Sequence, residues 1–195
     1  MLRKAVYPKV EALLNQIAAT LHKQGFTPNQ LTLAGLGLNF VAGWIYAGGH
    51  LFWGGVFVIV AALGDLLDGP LARTSGKVTK FGAFLDSTVD RYSDFFIYGG
   101  LALYYARQDQ GSLLVLCLGS LAGSFVTSYA KARAENLIQS CNVGVFERAE
   151  RVILIALASL FWPLMPLALW ILFFGTNATA IHRILHTQKN LTESS

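Results

Sequence analysis

Apolar residues fill long stretches of this chain, and the polar residues that interrupt them recur at helical rather than strand spacing. Residues 1–26 place Val6, Val10, Leu13, Leu14, Ile17 and Leu21 on one face, with Arg3, Lys4, Lys9 and Lys23 among the polar positions. That pattern predicts a helix, read equally well as lying on a membrane surface or as packed on the rest of the protein. Pro28 opens the next element. Residues 31–48 predict a first span, with Gly35, Gly37 and Gly43 allowing a neighbouring helix to come close. Gly48, Gly49 and His50 make a turn, and a second span over 51–67 continues through Asp68 to Arg73. A polar loop, 74–80, leads into a third span over 81–105 that carries Asp86, Asp90, Arg91 and Asp94. A fourth span is predicted over 112–129, a fifth over 152–162, and a sixth over 167–181 after a turn with Pro163 and Pro166.

The predicted class is all-α: a polytopic membrane protein with six transmembrane helices behind an N-terminal amphipathic surface helix. Its divisions are the helix 1–26, a six-helix domain 27–187, and a polar C-terminal tail 188–195 expected to lack order. Composition agrees, since 54% of the 195 residues are hydrophobic and only 13% charged, with a mean hydropathy of +0.49. A soluble domain of this size cannot bury that much apolar surface. No removable signal peptide is expected, because the first residues lack a continuous apolar core and a small-residue cleavage site. Two cysteines, Cys117 and Cys141, exclude a disulfide framework and a thiolate metal site. The net charge of +4 gives a nucleic-acid reading no support.

Threaded alternately, six spans put the amino terminus, Lys77 and Lys80, the segment from Lys131 to Arg151 and the carboxyl terminus on one side. Because basic residues collect on the cytoplasmic side of membrane proteins, both termini and the working face are expected there.

A charge in hydrocarbon costs at least a few kcal/mol, so intramembrane carboxylates need a reason. Asp65 and Asp68 are three positions apart, Asp86 and Asp90 four, and each spacing puts its pair on one helix face. The short loop between the helices predicts antiparallel neighbours whose four carboxylates meet in one pocket at the membrane surface. Such a cluster is tolerable when cations neutralise it, and hard divalent ions such as Mg²⁺ or Mn²⁺ suit an all-oxygen site. The alternative is that Arg73, Arg91, Lys77 and Lys80 simply pair with the acids.

The stretch Asp65-Leu66-Leu67-Asp68-Gly69-Pro70-Leu71-Ala72-Arg73, eight further residues, and Gly82-Ala83-Phe84-Leu85-Asp86-Ser87-Thr88-Val89-Asp90 resembles the full signature of the CDP-alcohol phosphotransferase family, with no fixed position departing. The resemblance implies a transferase that attaches a CDP-activated group to an alcohol and releases CMP. It implies that Asp65, Asp68, Asp86 and Asp90 ligate two divalent ions, with Asp90 also the base for the attacking hydroxyl. Asp65, Asp68, Gly69, Ala72, Arg73 and Gly82 would surround the nucleotide of CDP-diacylglycerol or a similar donor. Thr32 resembles part of the family's short motif before the first span, or is a helix-start residue. The family also implies a homodimer.

Lys131, Arg133, Arg148 and Arg151 are candidates for the phosphate of a phosphorylated acceptor, since cations beside a phosphate-transfer site suit a second anionic substrate. They are equally read as topology signals paired with Glu135, Glu147 and Glu150. The segments Ser128–Glu135 and Glu147–Arg151 resemble the phosphatidylinositol phosphate synthases of the family, although Ala149 stands where those members usually have proline. Glycerol 3-phosphate is the rival acceptor. A cation transporter is a different class of reading, opposed by acids gathered at one end of the spans and by the lack of inverted repeats.

Overall fold

The computed structural model describes residues 2–193, with side chains from residue 11 onward. The side chains of Arg3, Lys4, Val6, Lys9 and Val10, and the last two residues of the expected tail, lie outside the described residues. Seven α-helices follow one another: α1 (Leu2–Lys23), α2 (Pro28–Ala47), α3 (Leu51–Thr74), α4 (Lys80–Arg107), α5 (Gly111–Ala134), α6 (Arg148–Leu160) and α7 (Met165–Glu193), with a 3₁₀ turn at Trp162–Leu164 before the last. No strand occurs among the described residues.

Local chemistry sets the helix starts that matter for the site. The Thr27 side chain accepts from the Gln30 amide while the Gln30 side chain accepts from the Thr27 amide at 2.9 Å, with Pro28 in the first turn. Together they satisfy donors that an open helix end leaves bare. Thr79 caps α4 by accepting from the Gly82 amide at 2.9 Å. Between them, α3 stops at a turn where Gly76 has φ of 64°, a conformation glycine adopts without steric cost.

The helices form a ring in the order α2, α4, α5, α7, α6, α3 and back to α2, with α1 against the outside of α3. The α3 and α4 helices have almost no direct packing on each other, because α2 lies along both. The expectation that the two acid-bearing helices are packed neighbours is corrected accordingly: they flank a gap that α2 bridges. Glycines make that bridging possible. A Cβ at Gly43 or Gly100 would strike the backbone of the other helix of the α2–α4 pair, and one at Gly35 would lie 2.7 Å from Asp65 Oδ1. Gly37, expected to serve likewise, faces open space.

The centre of the ring is filled by Tyr46, Val58, Leu101, Ile155, Leu169 and Leu172, and the Tyr46 hydroxyl meets Ser159 Oγ at 2.6 Å. Large apolar groups also cover the outside, including Trp44, Trp53, Leu63, Leu103 and Phe174. Apolar surface inside and out is the arrangement of a protein solvated by lipid, and this chain is a membrane protein. Three helical stretches are long and apolar enough to cross a bilayer: α3, α5 and Trp162–Glu193. By contrast α6, at 13 residues, rises only about 20 Å at 1.5 Å per residue. The tail expected to be unstructured from residue 188 continues α7 as helix to Glu193.

Candidate active site

The site is built from the end of α3 and the start of α4 outward. One cavity of about 330 Å³ lies in the gap beneath α2. Thr32, Asp68, Gly69, Ala72, Arg73, Gly82 and Asp86 all line it, which gathers every expected nucleotide residue except Asp65. Its walls are small where the chain passes closest. A Cβ on Gly69 would lie 3.5 Å from Arg73 Nη1, and one on Gly82 would lie 3.1 Å from Thr79 Oγ1. Thr32 is not the helix-start residue, a position held by Thr27. One turn further in, its buried hydroxyl lies 3.2 Å from both Asp68 Oδ2 and the Pro28 carbonyl, so it fixes the carboxylate's orientation.

A second cavity, about 320 Å³, lies on the other side of the acids among α4, α5, α6 and α7. Asp90, Arg91 and Asp94 form one wall, Lys131 another, and Arg148, Arg151 and Arg183 the rest. Three of the four cations expected around an acceptor phosphate are therefore together. Arg133 is not, since it is exposed and turned away from the cavity lining. Two residues the sequence reading left without a role, Asp94 and Arg183, complete the cavity. Asp94 and Arg151, 4% and 2% exposed, form a buried pair with Nη2 to Oδ2 at 2.9 Å. Arg183 donates to the Val143 and Thr127 carbonyls and to Glu147, each at 2.9 Å. Burying a guanidinium is costly unless its donors are used, and here they hold three segments of chain around one hollow.

The four aspartates stand between the two cavities. Asp65, Asp68, Asp86 and Asp90 are close enough for each to feel the charge of others in the set. Arg148 Nη1 lies 2.9 Å from Asp65 Oδ2 and 2.9 Å from Asp90 Oδ1. Arg91 adds a looser pair to Asp90 at 3.7 Å and donates to the Ser87 carbonyl. Of the four cations considered as simple partners for the acids, only Arg91 pairs with one; Arg148, assigned by its neighbourhood to the acceptor, reaches the acids as well. Lys131 lies 3.9 Å from Glu147, so one of the pairings weighed for the basic segment is present.

Do these residues suit divalent metal? The donors are carboxylate oxygens, the set preferred by Mg²⁺ and Mn²⁺. Among the described residues no three acidic, histidine or cysteine side chains converge tightly enough to hold an ion as they stand. Instead a guanidinium nitrogen occupies the place between Asp65 and Asp90, and Asp68 and Asp86 face the neighbouring cavity. A seat for positive charge is thus already present among acids that repel one another without it, and the residues fit the metal.

Helices here bring a glycine-lined hollow and a cation-lined hollow to one carboxylate cluster, an arrangement suited to a membrane transferase. Residues 26–181 match the CDP-alcohol phosphatidyltransferase family, and the chain belongs to it. Among its relatives, an archaetidylinositol phosphate synthase of Pyrococcus horikoshii is 39% identical over 95% of this chain and 96% of its own length. The fold matches the Mycobacterium tuberculosis phosphatidylinositol phosphate synthase with CDP-DAG bound, with a TM-score of 0.83 and 33% identity over 90% of this chain and 93% of that one. The same enzyme in complex with manganese and citrate matches with a TM-score of 0.81 and 35% identity over 89% of this chain and 88% of that one. The chain is a CDP-diacylglycerol-dependent phosphatidyltransferase, an enzyme of phospholipid synthesis.

Proposed function

We propose that this enzyme moves the phosphatidyl group of CDP-diacylglycerol to a hydroxyl of inositol phosphate and releases CMP. The observation that carries the reading is the pair of cavities on either side of the acids, one lined by Asp68 and Asp86 with glycine and alanine and the other by Asp90 with Lys131, Arg151 and Arg183. A CDP-DAG complex of a similarly folded relative supports the first as the donor side, and relatives named for inositol phosphate products support the second as the acceptor side.

The chain's own groups divide the work. Gly69, Ala72 and Gly82 leave room for a flat base against the helix backbone, and Arg73 steadies the donor's phosphates. Thr32 holds Asp68 in its ligating orientation. Lys131, Arg148, Arg151 and Arg183 bind the acceptor's phosphate and leave one hydroxyl pointed at Asp90. Asp90, shielded from solvent on most of its side chain, takes that proton as the acceptor oxygen forms its bond to phosphorus and the bond to CMP breaks. Asp65, Asp68, Asp86 and Asp90 would hold two Mg²⁺ or Mn²⁺ ions, which when bound would supply positive charge to offset the negative charge gathering on the departing CMP. Manganese in the tuberculosis enzyme supports this ion type.

The same reading includes six membrane spans, α2 to α7, within a six-helix domain of residues 27–187, with α1 as an amphipathic helix at the surface. Both termini and the active site face the cytoplasm, as the clustering of basic residues supports, and the enzyme works as a homodimer. The deciding experiment is an acceptor screen with purified protein, CDP-diacylglycerol and Mn²⁺, following CMP and identifying the lipid product. Inositol phosphate is expected to give by far the fastest release; faster turnover with glycerol 3-phosphate, or with an unphosphorylated alcohol, would refute the acceptor assignment.

A further inference from the structure

Two consecutive residues at the start of α6 pair with groups assigned to opposite substrates. The side chain of Glu147, the residue before the first turn, makes no hydrogen bond to its own helix end. Its Oε1 instead lies 2.9 Å from Arg183 Nη2 and 3.9 Å from Lys131 Nζ, across the mouth of the cation-lined cavity. A carboxylate oxygen shared by those two cations stands where a phosphate oxygen would stand. Arg148, the next residue, also lines that cavity but pairs with the acids, its Nη1 lying 2.9 Å from both Asp65 and Asp90, where a metal ion would be expected. The backbone leading into the pair is held, because the Phe146 amide donates to Thr179 Oγ1 at 3.2 Å, the Phe146 carbonyl accepts from Arg151, and the Glu147 carbonyl accepts from the Arg151 amide at 3.3 Å. Any change must therefore come from the side chains. The two differ in how firmly they are held: Glu147 is half exposed, and the buried Nε of Arg148 has no hydrogen-bond partner in this pose. Neither side chain is locked by a full set of partners.

We propose that Glu147 and Arg148 are built-in stand-ins for the two ligands, Glu147 for the acceptor's phosphate and Arg148 for the metal ion. They keep two mutually repelling clusters, the cations of one cavity and the carboxylates between the cavities, neutral while the enzyme is empty. Each leaves by a side-chain rotation when its ligand arrives. While paired with Asp65 and Asp90, Arg148 already lines the acceptor cavity, so loading the acids with metal would free a further cation for the incoming phosphate. This inference rests on the proposed phosphorylated acceptor and adds that the empty site resists both ligands.

Binding measurements on the full-length protein in detergent, without donor or acceptor, test it. Glu147→Gln keeps the shape and an oxygen for Arg183 but removes the competing charge, and is expected to bind inorganic phosphate about tenfold more tightly than the parent enzyme. Arg148→Gln is expected to bind Mn²⁺ about tenfold more tightly, read from free Mn²⁺ by electron paramagnetic resonance. Its melting temperature should also fall further in EDTA than the parent's and recover more on adding Mn²⁺. Equal or weaker binding in either variant, or an unchanged response to EDTA, overturns the stand-in role. If phosphate binds neither protein and only unphosphorylated alcohols are turned over, the acceptor reading falls with it; if a phosphorylated alcohol is used but Glu147→Gln gains nothing, only this inference is lost.

Discussion

The two cavities beside the aspartates are prepared for their ligands in opposite ways. The donor side is shaped by omission: Gly69, Ala72 and Gly82 withhold side chains, and the α3–α4 gap bridged by α2 supplies the volume. The acceptor side is shaped by charge, with Arg151 paired to Asp94, Arg183 and Lys131 to Glu147, and Arg148 to the catalytic acids. Space costs little to maintain when empty, whereas a cluster of like charges next to a bilayer must be neutralised at all times. A pocket that selects by charge therefore comes with internal counter-ions.

The sharpest test of this contrast lies where the cavities meet. Replacing Asp90 by Asn keeps the side chain's size but removes the base, and CMP release is expected to fall by about a hundredfold to ten-thousandfold. Circular dichroism should stay unchanged. A variant that retained near-normal turnover would separate the chemistry from this carboxylate.

On the charged side, Asp94→Ala leaves Arg151 buried without its partner, and unfolding in detergent should show a loss of about 3–5 kcal/mol. An Asp94→Leu, Arg151→Met double variant should regain most of that stability while losing acceptor binding. If the single variant is as stable as the parent, the pair does not organise the cavity. On the shaped side, Gly69→Ala fits sterically, with its Cβ at an ordinary 3.5 Å from Arg73. It takes room from the donor, so the apparent KM for CDP-diacylglycerol should rise about tenfold, the equivalent of 1.4 kcal/mol, with the acceptor KM little changed. The smallest effect is expected at Arg133, where alanine should alter the acceptor KM by less than about twofold because an exposed charge outside the cavity is screened. Arg151→Ala should raise it far more.

Residues 65–90 made the acid cluster legible before any coordinates, because helix periodicity puts Asp65 with Asp68 and Asp86 with Asp90 on common faces, while the nucleotide residues came only from the resemblance of that stretch to the family signature. The same periodicity misjudged how those faces meet, since a short loop does not decide whether α3 and α4 pack or leave a gap for α2. Arg133 and Arg151 show the limit on the other side. Both sit in basic runs near a span end, yet one faces outward and the other is buried against Asp94. Arg183 gave no signal, being a single cation after an apolar run with partners roughly 40 and 56 positions away.

Sequence by itself determined what is written within a helix turn or a single hairpin: the helical class, the apolar load that demands lipid, and the acid signature with its glycines. Tertiary structure alone decided which cations face the acids, that Asp94 and Arg183 line the same cavity, and that Glu147 pairs with cations while Arg148 pairs with the acids. Those outcomes depend on how four helices far apart in the chain are rotated about their axes, and that rotation is set by packing in the ring rather than by any local pattern.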